Sequence, residues 1–186
     1  MNPSPHPDPD GGASPIKVLF VCLGNICRSP AAEGCFLHLI AREQLDDAFA
    51  VDSAGTGHWH VGKPADRRML EAASRRGIQV PSRARQIARS DLQAFDHILT
   101  MDDDNLAAVQ RLAGAHPTRA TIEPITRYCR RHGLKEVPDP YYGGSDGFEQ
   151  VLDLLEDACE GLLAELRPTG PDRSSRGGGG LSGFRA

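Results

Sequence analysis

The stretch VLFVCLGNICRSP, residues 18–30, ends an apolar run in Cys22 and sets Arg28 six positions later, directly before Ser-Pro. A thiol and a guanidinium at that spacing can act together on one anion. Between them, Gly24 and Asn25 tolerate left-handed backbone, which turns successive N–H groups inward as an anion-binding nest. A helix opening at Ser29 and Pro30 would add its first amides, which have no intrahelical partner, and the positive end of its dipole. Arg28 supplies a planar fork that can grip two oxygens of a phosphate at once. The same field favours a thiolate at Cys22. Nucleophile and oxyanion receptor are thus built from one short loop.

Such chemistry also needs a proton source for a leaving oxygen. EVPDPYYGG, residues 136–144, holds Asp139 between two prolines with paired tyrosines behind it. Pro138 and Pro140 restrict the backbone and stiffen the aspartate, and apolar neighbours favour its protonated form.

Competing readings fit less well. Cys22 could be a buried core thiol, but the Gly-Asn turn, the arginine and the Ser-Pro helix start argue otherwise. Zinc held by Cys22, Cys27, Cys129 and His132 matches neither ribbon nor finger spacing, so no metal is expected. No G-x4-G-K-[ST] loop occurs, and GTGHWH at 55–60 lacks the third glycine of a dinucleotide fingerprint, which leaves it a loop.

The elements that must position these residues follow from periodicity. IKVLFV (16–21) is a continuously apolar, β-rich run suited to a strand buried on both faces. A helix over 29–43 follows, with Ser29 as N-cap and Pro30 at its first position. FAVDSAG (49–55) reads as a second strand and 64–78 as a helix closed by Gly77. FDHILTMD (95–102) is a third strand, followed by a helix near 103–113 and a weaker strand within 119–137. Residues 146–166 form the clearest helix, with Asp146 and Glu149 as a capping box and one wide apolar face from Phe148 to Leu166. Strands alternating with helices imply an α/β fold: a single-domain, open parallel sheet with helices on both faces. Ligands bind such sheets at the carboxyl ends of strands, and Cys22 ends the first one.

Composition bounds the rest. The chain has 186 residues, 39% of them hydrophobic and 25% charged, with net charge −4. That is a soluble globular balance without the basic footprint of a nucleic-acid binder. No apolar run approaches the roughly 20 residues needed to span a bilayer, and the N-terminus has no signal-peptide pattern. The five cysteines are irregularly spaced, unlike a secreted disulfide framework, so a cytoplasmic protein is expected. Residues 1–14 are rich in proline and 168–186 in glycine and serine, compositions of disordered tails around a domain at 15–167.

The quoted motifs resemble the low-molecular-weight protein tyrosine phosphatases. The match comprises VCLGNICRSPAAEG, DSAGTGHWHVGKPAD, ARQ…FDHILTMDDDN and DPYYGG…FEQVLDLLEDACEGLL, in family order over residues 16–166. The resemblance implies a phosphate-binding loop after the first strand, Cys22 as nucleophile, Arg28 as phosphate clamp and Asp139 as general acid. It implies that Leu23, Gly24, Asn25, Ile26 and Cys27 line the loop and that Ser29 hydrogen-bonds the thiolate. Asn25 would hold the loop with Ser53 behind it, and Asp102 would support the sheet edge nearby. Trp59, Tyr141 and Tyr142 resemble the aromatic walls that admit a phenyl ring. A histidine found near Ser82 in mammalian members is absent. The implied enzyme needs no cofactor, acts as a monomer on phosphotyrosine-containing proteins, and binds neither nucleic acid nor membrane. The alternative on the same fold is an arsenate reductase, which would need further cysteines to relay a disulfide. In thioredoxin-coupled reductases these lie in the segment corresponding to about 80–100, where this chain has none. Cys27, close to Cys22, is also a candidate partner for a reversible disulfide.

Overall fold

In the computed structural model, residues 14–168 are described. The expected tails, 1–14 and 168–186, lie outside the described residues except at their inner ends. Four parallel strands form one sheet in the order β2-β1-β3-β4, with β1 at Ile16–Cys22, β2 at Phe49–Gly55, β3 at His97–Thr100 and β4 at Thr121–Pro124. Helix α1 (Arg28–Arg42) joins β1 to β2. Helices α2 (Arg67–Arg75) and α3 (Asp91–Ala94) lie between β2 and β3, α4 (Asp103–Ala113) between β3 and β4, and α5 (Ser145–Leu166) closes the domain.

β1 is the axis of the core. Val18 and Phe20 face α1 and α5, where Phe20 meets Phe36 edge-on at 6.0 Å between ring centroids. Leu19 and Val21 face the opposite way, with Ile98, Leu92 and Val109 of the β3, α3 and α4 layer. Each such side chain contributes about 1.5–3 kcal/mol on burial. The α5 face from Phe148 through Leu162 is buried as its periodicity predicts. Helix α5 comes close enough to the 3-10 turn Ile125–Tyr128 that a Cβ on Gly161 would stand 1.9 Å from the Tyr128 carbonyl oxygen.

Several expected boundaries move, each for a local reason. Ser29 is not an N-cap: α1 starts at Arg28 after Cys27, without a side-chain cap, because the Ser29 hydroxyl is engaged with Cys22 and the Ala54 carbonyl. The helix expected over 64–78 shortens to α2, because Asp66 accepts the Arg68 N–H and caps it. The third strand spans only His97–Thr100, since Phe95 closes α3 and Asp102 caps α4. The Asp146–Glu149 box is not formed: α5 begins one residue earlier with Gly144 at its N-cap, and Glu149 binds Arg75 and Arg76.

A buried carboxylate fixes the segment leading towards Asp139. Asp157 of α5 accepts backbone N–H groups from Arg130 at 3.1 Å and from Arg131 and His132 at 2.9 Å, and meets His132 Nδ1 at 2.9 Å. Burial alone would raise its pKa, but His132 and the three backbone donors reverse that and hold it well below the usual carboxylate range. Such a group stabilises the fold above its unfolded pKa, near 3.9, and loses that contribution as pH falls through the folded value. Asp157→Asn should therefore cost about 1.5–3 kcal/mol at neutral pH, the scale of a hydrogen bond to a charged group. In urea unfolding the gap from the parent should close as pH approaches 2. A gap independent of pH would contradict this account.

Candidate active site

The site lies at the carboxyl end of β1, where the strand order reverses between β1 and β3. Cys22 ends the strand and the loop 23–27 curls from it into α1. Asn25 takes the left-handed conformation the sequence suggested, at φ 54°. This turns its N–H onto Cys22 Sγ at 3.2 Å, while the Ser29 hydroxyl stands 3.0 Å from the same sulfur.

The Asn25 side chain ties this loop to its surroundings. Its Oδ1 accepts the Arg85 backbone N–H at 2.9 Å, which fixes the amide so that Nδ2 donates to Ser29 Oγ and Ser53 Oγ, each at 2.9 Å. Ser53 then donates to Glu33 Oε2 at 2.6 Å, with the Ser82 hydroxyl 3.5 Å away. Burial raises the Glu33 pKa against the pull of the two serine hydroxyls. The Asn25 and Ser29 side chains are buried behind the thiol, Ser29 against the sulfur and Asn25 tying the loop to Ser53. From the β2 side, Thr56 and Gly57 donate to the carbonyls of Cys22 and Leu23 at 2.9 and 2.8 Å. A Cβ on Gly55 would stand 2.8 Å from the Leu23 oxygen, so only glycine permits this approach.

Arg28 is 3% exposed and held from three sides. Nη1 donates to Asp102 and to the Val137 carbonyl at 3.1 Å, and Nη2 donates to Asp139 Oδ2 at 3.0 Å. Nε is buried without a partner among the described residues. Burial works against the cation, but Cys22, Asp102 and Asp139 outweigh it and raise its pKa. Asp102, expected at the sheet edge, bonds Arg28 directly while its other oxygen caps α4 through Asn105 at 2.7 Å.

A cavity of about 320 Å³ opens above the thiol. Its floor is the loop, with Leu23, Gly24, Ile26 and Cys27 beside Cys22 and Arg28. Its walls are Trp59, Asp139, Tyr141 and Tyr142, as expected, and His60, which the sequence reading passed over. Tyr142 is 92% exposed and forms the outer rim, whereas Trp59 folds its ring onto Gly57. His60 lies close over Gly24. Cys22 and Cys27 are both free thiols, and burial, reinforced by Asp66, Cys22 and Asp139, pushes the Cys27 thiol up to about 12.

A strand ending in a thiol, a tight loop and a helix, with a buried arginine in the same cavity, define an α/β protein with its cleft at the carboxyl end of the first strand. The family model "Low molecular weight phosphotyrosine protein phosphatase" matches residues 17–171. The low molecular weight protein-tyrosine-phosphatase YfkJ of Bacillus subtilis is 43% identical over 82% of this chain and 96% of its own length. The low molecular weight phosphotyrosine protein phosphatase of Schizosaccharomyces pombe is 42% identical over 81% and 97%. Among solved structures, a protein tyrosine phosphatase from Entamoeba histolytica superposes with a TM-score of 0.78 at 44% identity, covering 81% of this chain and 96% of that one. The chain belongs to the low molecular weight phosphotyrosine protein phosphatase family.

Asn25→Ala strands the Arg85 N–H and removes the donor that orients Ser29 and Ser53, and a buried group left unsatisfied costs about 1–3 kcal/mol. Calorimetric titration with inorganic phosphate should show affinity reduced at least about tenfold. Unchanged affinity would mean that the loop holds its shape without this side chain.

Proposed function

We propose that the protein hydrolyses phosphotyrosine in proteins, and small aryl phosphates, through a cysteinyl-phosphate intermediate. Cys22 is the nucleophile, Arg28 the phosphate clamp and Asp139 the general acid. The observation that carries this reading is the placement of Cys22 Sγ against the Asn25 N–H and Ser29 hydroxyl, within one cavity that also holds Arg28 and Asp139.

The thiolate attacks phosphorus in line with the ester oxygen, so that an S–P bond forms as the P–O bond breaks. The N–H groups of the loop 23–27 and the Arg28 fork receive the equatorial oxygens. Asp139 enters as the neutral acid and gives its proton to the departing phenolate oxygen. Its carboxylate then takes a proton from water while the water oxygen attacks phosphorus, and the P–S bond breaks to return the thiolate. The sulfur lies at the floor, 3% exposed, so a substrate must carry its phosphate far from its backbone. Phosphotyrosine does this better than phosphoserine, and Trp59 and Tyr141 flank the path of its ring.

Arsenate reduction finds little support: residues 80–100 contain no cysteine, and Cys35 and Cys159 are buried in the core. A relative titled drosophila arginine phosphatase, 32% identical with a TM-score of 0.77, makes phosphoarginine the substrate to set against phosphotyrosine. The aromatic walls favour the phenyl ring. All five cysteines are free, which suits a reducing compartment such as the cytoplasm. Among the described residues no helix is long and apolar enough to cross a membrane. The protein's partners are phosphotyrosine-containing proteins. Cys27 serves as a resolving thiol: peroxide oxidises the Cys22 thiolate to a sulfenic acid with loss of water, and the Cys27 thiol condenses with it, releasing a second water.

Asp139→Asn should lower turnover of substrates with basic phenols about 10²–10⁴-fold and of those with acidic phenols much less, in a leaving-group series run with chelator present. Equal losses would make Asp139 structural. Phosphotyrosine peptides should outpace phosphoarginine peptides, and arsenate should not be turned over with thioredoxin. After peroxide, dithiothreitol should restore activity in the parent but not in Cys27→Ser. Full recovery in that variant, with no Cys22–Cys27 disulfide peptide from the oxidised parent by mass spectrometry, would exclude the resolving role.

A further inference from the structure

Asp139 sits on a segment with few ties to the rest of the protein. Before it, the Val137 N–H bonds the Met101 carbonyl at 2.8 Å, the Val137 carbonyl accepts from Arg28 Nη1 at 3.1 Å, and Glu136 accepts the Asp103 N–H at 2.9 Å; after it, Gly143 N–H bonds back to Pro140 at 3.0 Å. The ion pair to Arg28 is one tether. That tether is lost when it is most needed, because a protonated Asp139 gives up the ionic attraction and a bound phosphate competes for the same guanidinium.

On the side after Asp139, a further tether is Arg68, in the first turn of α2. Its fork engages Asp66 through Nε at 3.0 Å and Nη2 at 2.9 Å, and Nη2 also donates to the Tyr141 carbonyl at 3.1 Å. The same guanidinium lies 5.5 Å from the Tyr141 ring centroid and 4.8 Å from that of Phe148, within cation–π range. Both ends of this strut reach the reaction centre. Asp66 donates its backbone N–H to the Ile26 carbonyl of the phosphate loop at 2.7 Å. Tyr141 donates its N–H to Asp139 Oδ1 at 3.1 Å. The connected path runs from loop to Asp66, to Arg68, to Tyr141 and to the acid, and Arg68 itself touches none of the reacting groups.

We propose that Arg68 is a positioning residue that holds the Asp139 segment in register with the phosphate loop once phosphate has taken over Arg28. The proposal rests on Asp139 being the general acid. Its signature is therefore a defect in proton donation alone. Binding of the anion, which uses loop amides and Arg28, should be untouched. Lysine should replace Arg68 poorly, because a point charge cannot span a carboxylate, a carbonyl and two rings as a planar fork does.

The test is a double-mutant cycle between Arg68→Met, which keeps the stem against Tyr141 and Phe148, and Asp139→Asn, read over the aryl phosphate leaving-group series. Arg68→Met is expected to lower kcat about tenfold or more for basic phenols, a part of the about 10²–10⁴-fold that the acid supplies. The loss should shrink for acidic phenols and vanish in the Asp139→Asn background, with the inhibition constant of inorganic phosphate unchanged. Arg68→Lys should recover little of it, and gives the same readings should the methionine variant not fold. An equal loss for all leaving groups, a loss that persists in the Asp139→Asn background, or weakened phosphate inhibition would overturn the proposal. If Asp139→Asn alone shows no leaving-group dependence, the acid assignment fails first and the positioning role with it.

Discussion

A buried cation in the floor of a cleft is the constraint from which much of this structure follows. Isolated in a protein interior, the Arg28 charge would be prohibitively costly, so carboxylates must come to it. Asp102 arrives from the β3–α4 junction and Asp139 from the segment before α5, two parts of the chain remote in sequence from the loop and from each other. Their convergence fixes where the third strand must end and where the segment after the fourth must return. It also leaves Nε without a partner among the described residues.

The loop itself is held differently, by hydrogen bonds in a fixed order of donors and acceptors. Arg85 N–H orients the Asn25 amide, the amide orients Ser29 and Ser53, and Ser53 ends on Glu33. A left-handed asparagine is tolerable because this network over-determines it. Function then depends on two differently built parts meeting: a rigid cradle presenting sulfur and N–H groups, and a weakly tethered segment presenting a proton.

Much of this was legible in the sequence, and the reasons are physical. The parallel sheet followed from apolar runs alternating with amphipathic ones, and the loop followed from residue types that only an anion nest uses together. Boundaries moved where side chains took tertiary partners in place of local ones: Ser29 left the helix cap for the thiol, and Glu149 left its capping box for two arginines. Glu33, Ser82, Arg85 and His60 were missed because their roles depend on contacts across the fold. One trace was available: Glu33 falls four residues after Ser29, on the same helical face, and a carboxylate on a buried stripe signals a polar partner. Asp157 and its grip on the 130–132 backbone left no pattern in the sequence at all.

The central claim is that phosphorus passes through the sulfur of Cys22. Rapid acid quenching during turnover of an aryl phosphate, followed by peptide mass spectrometry, tests it directly. The account predicts one phosphoryl group on the peptide carrying Cys22, appearing before steady-state phosphate release. Phosphate release without any phosphopeptide under those conditions, or a phosphoryl group on another residue, would contradict it.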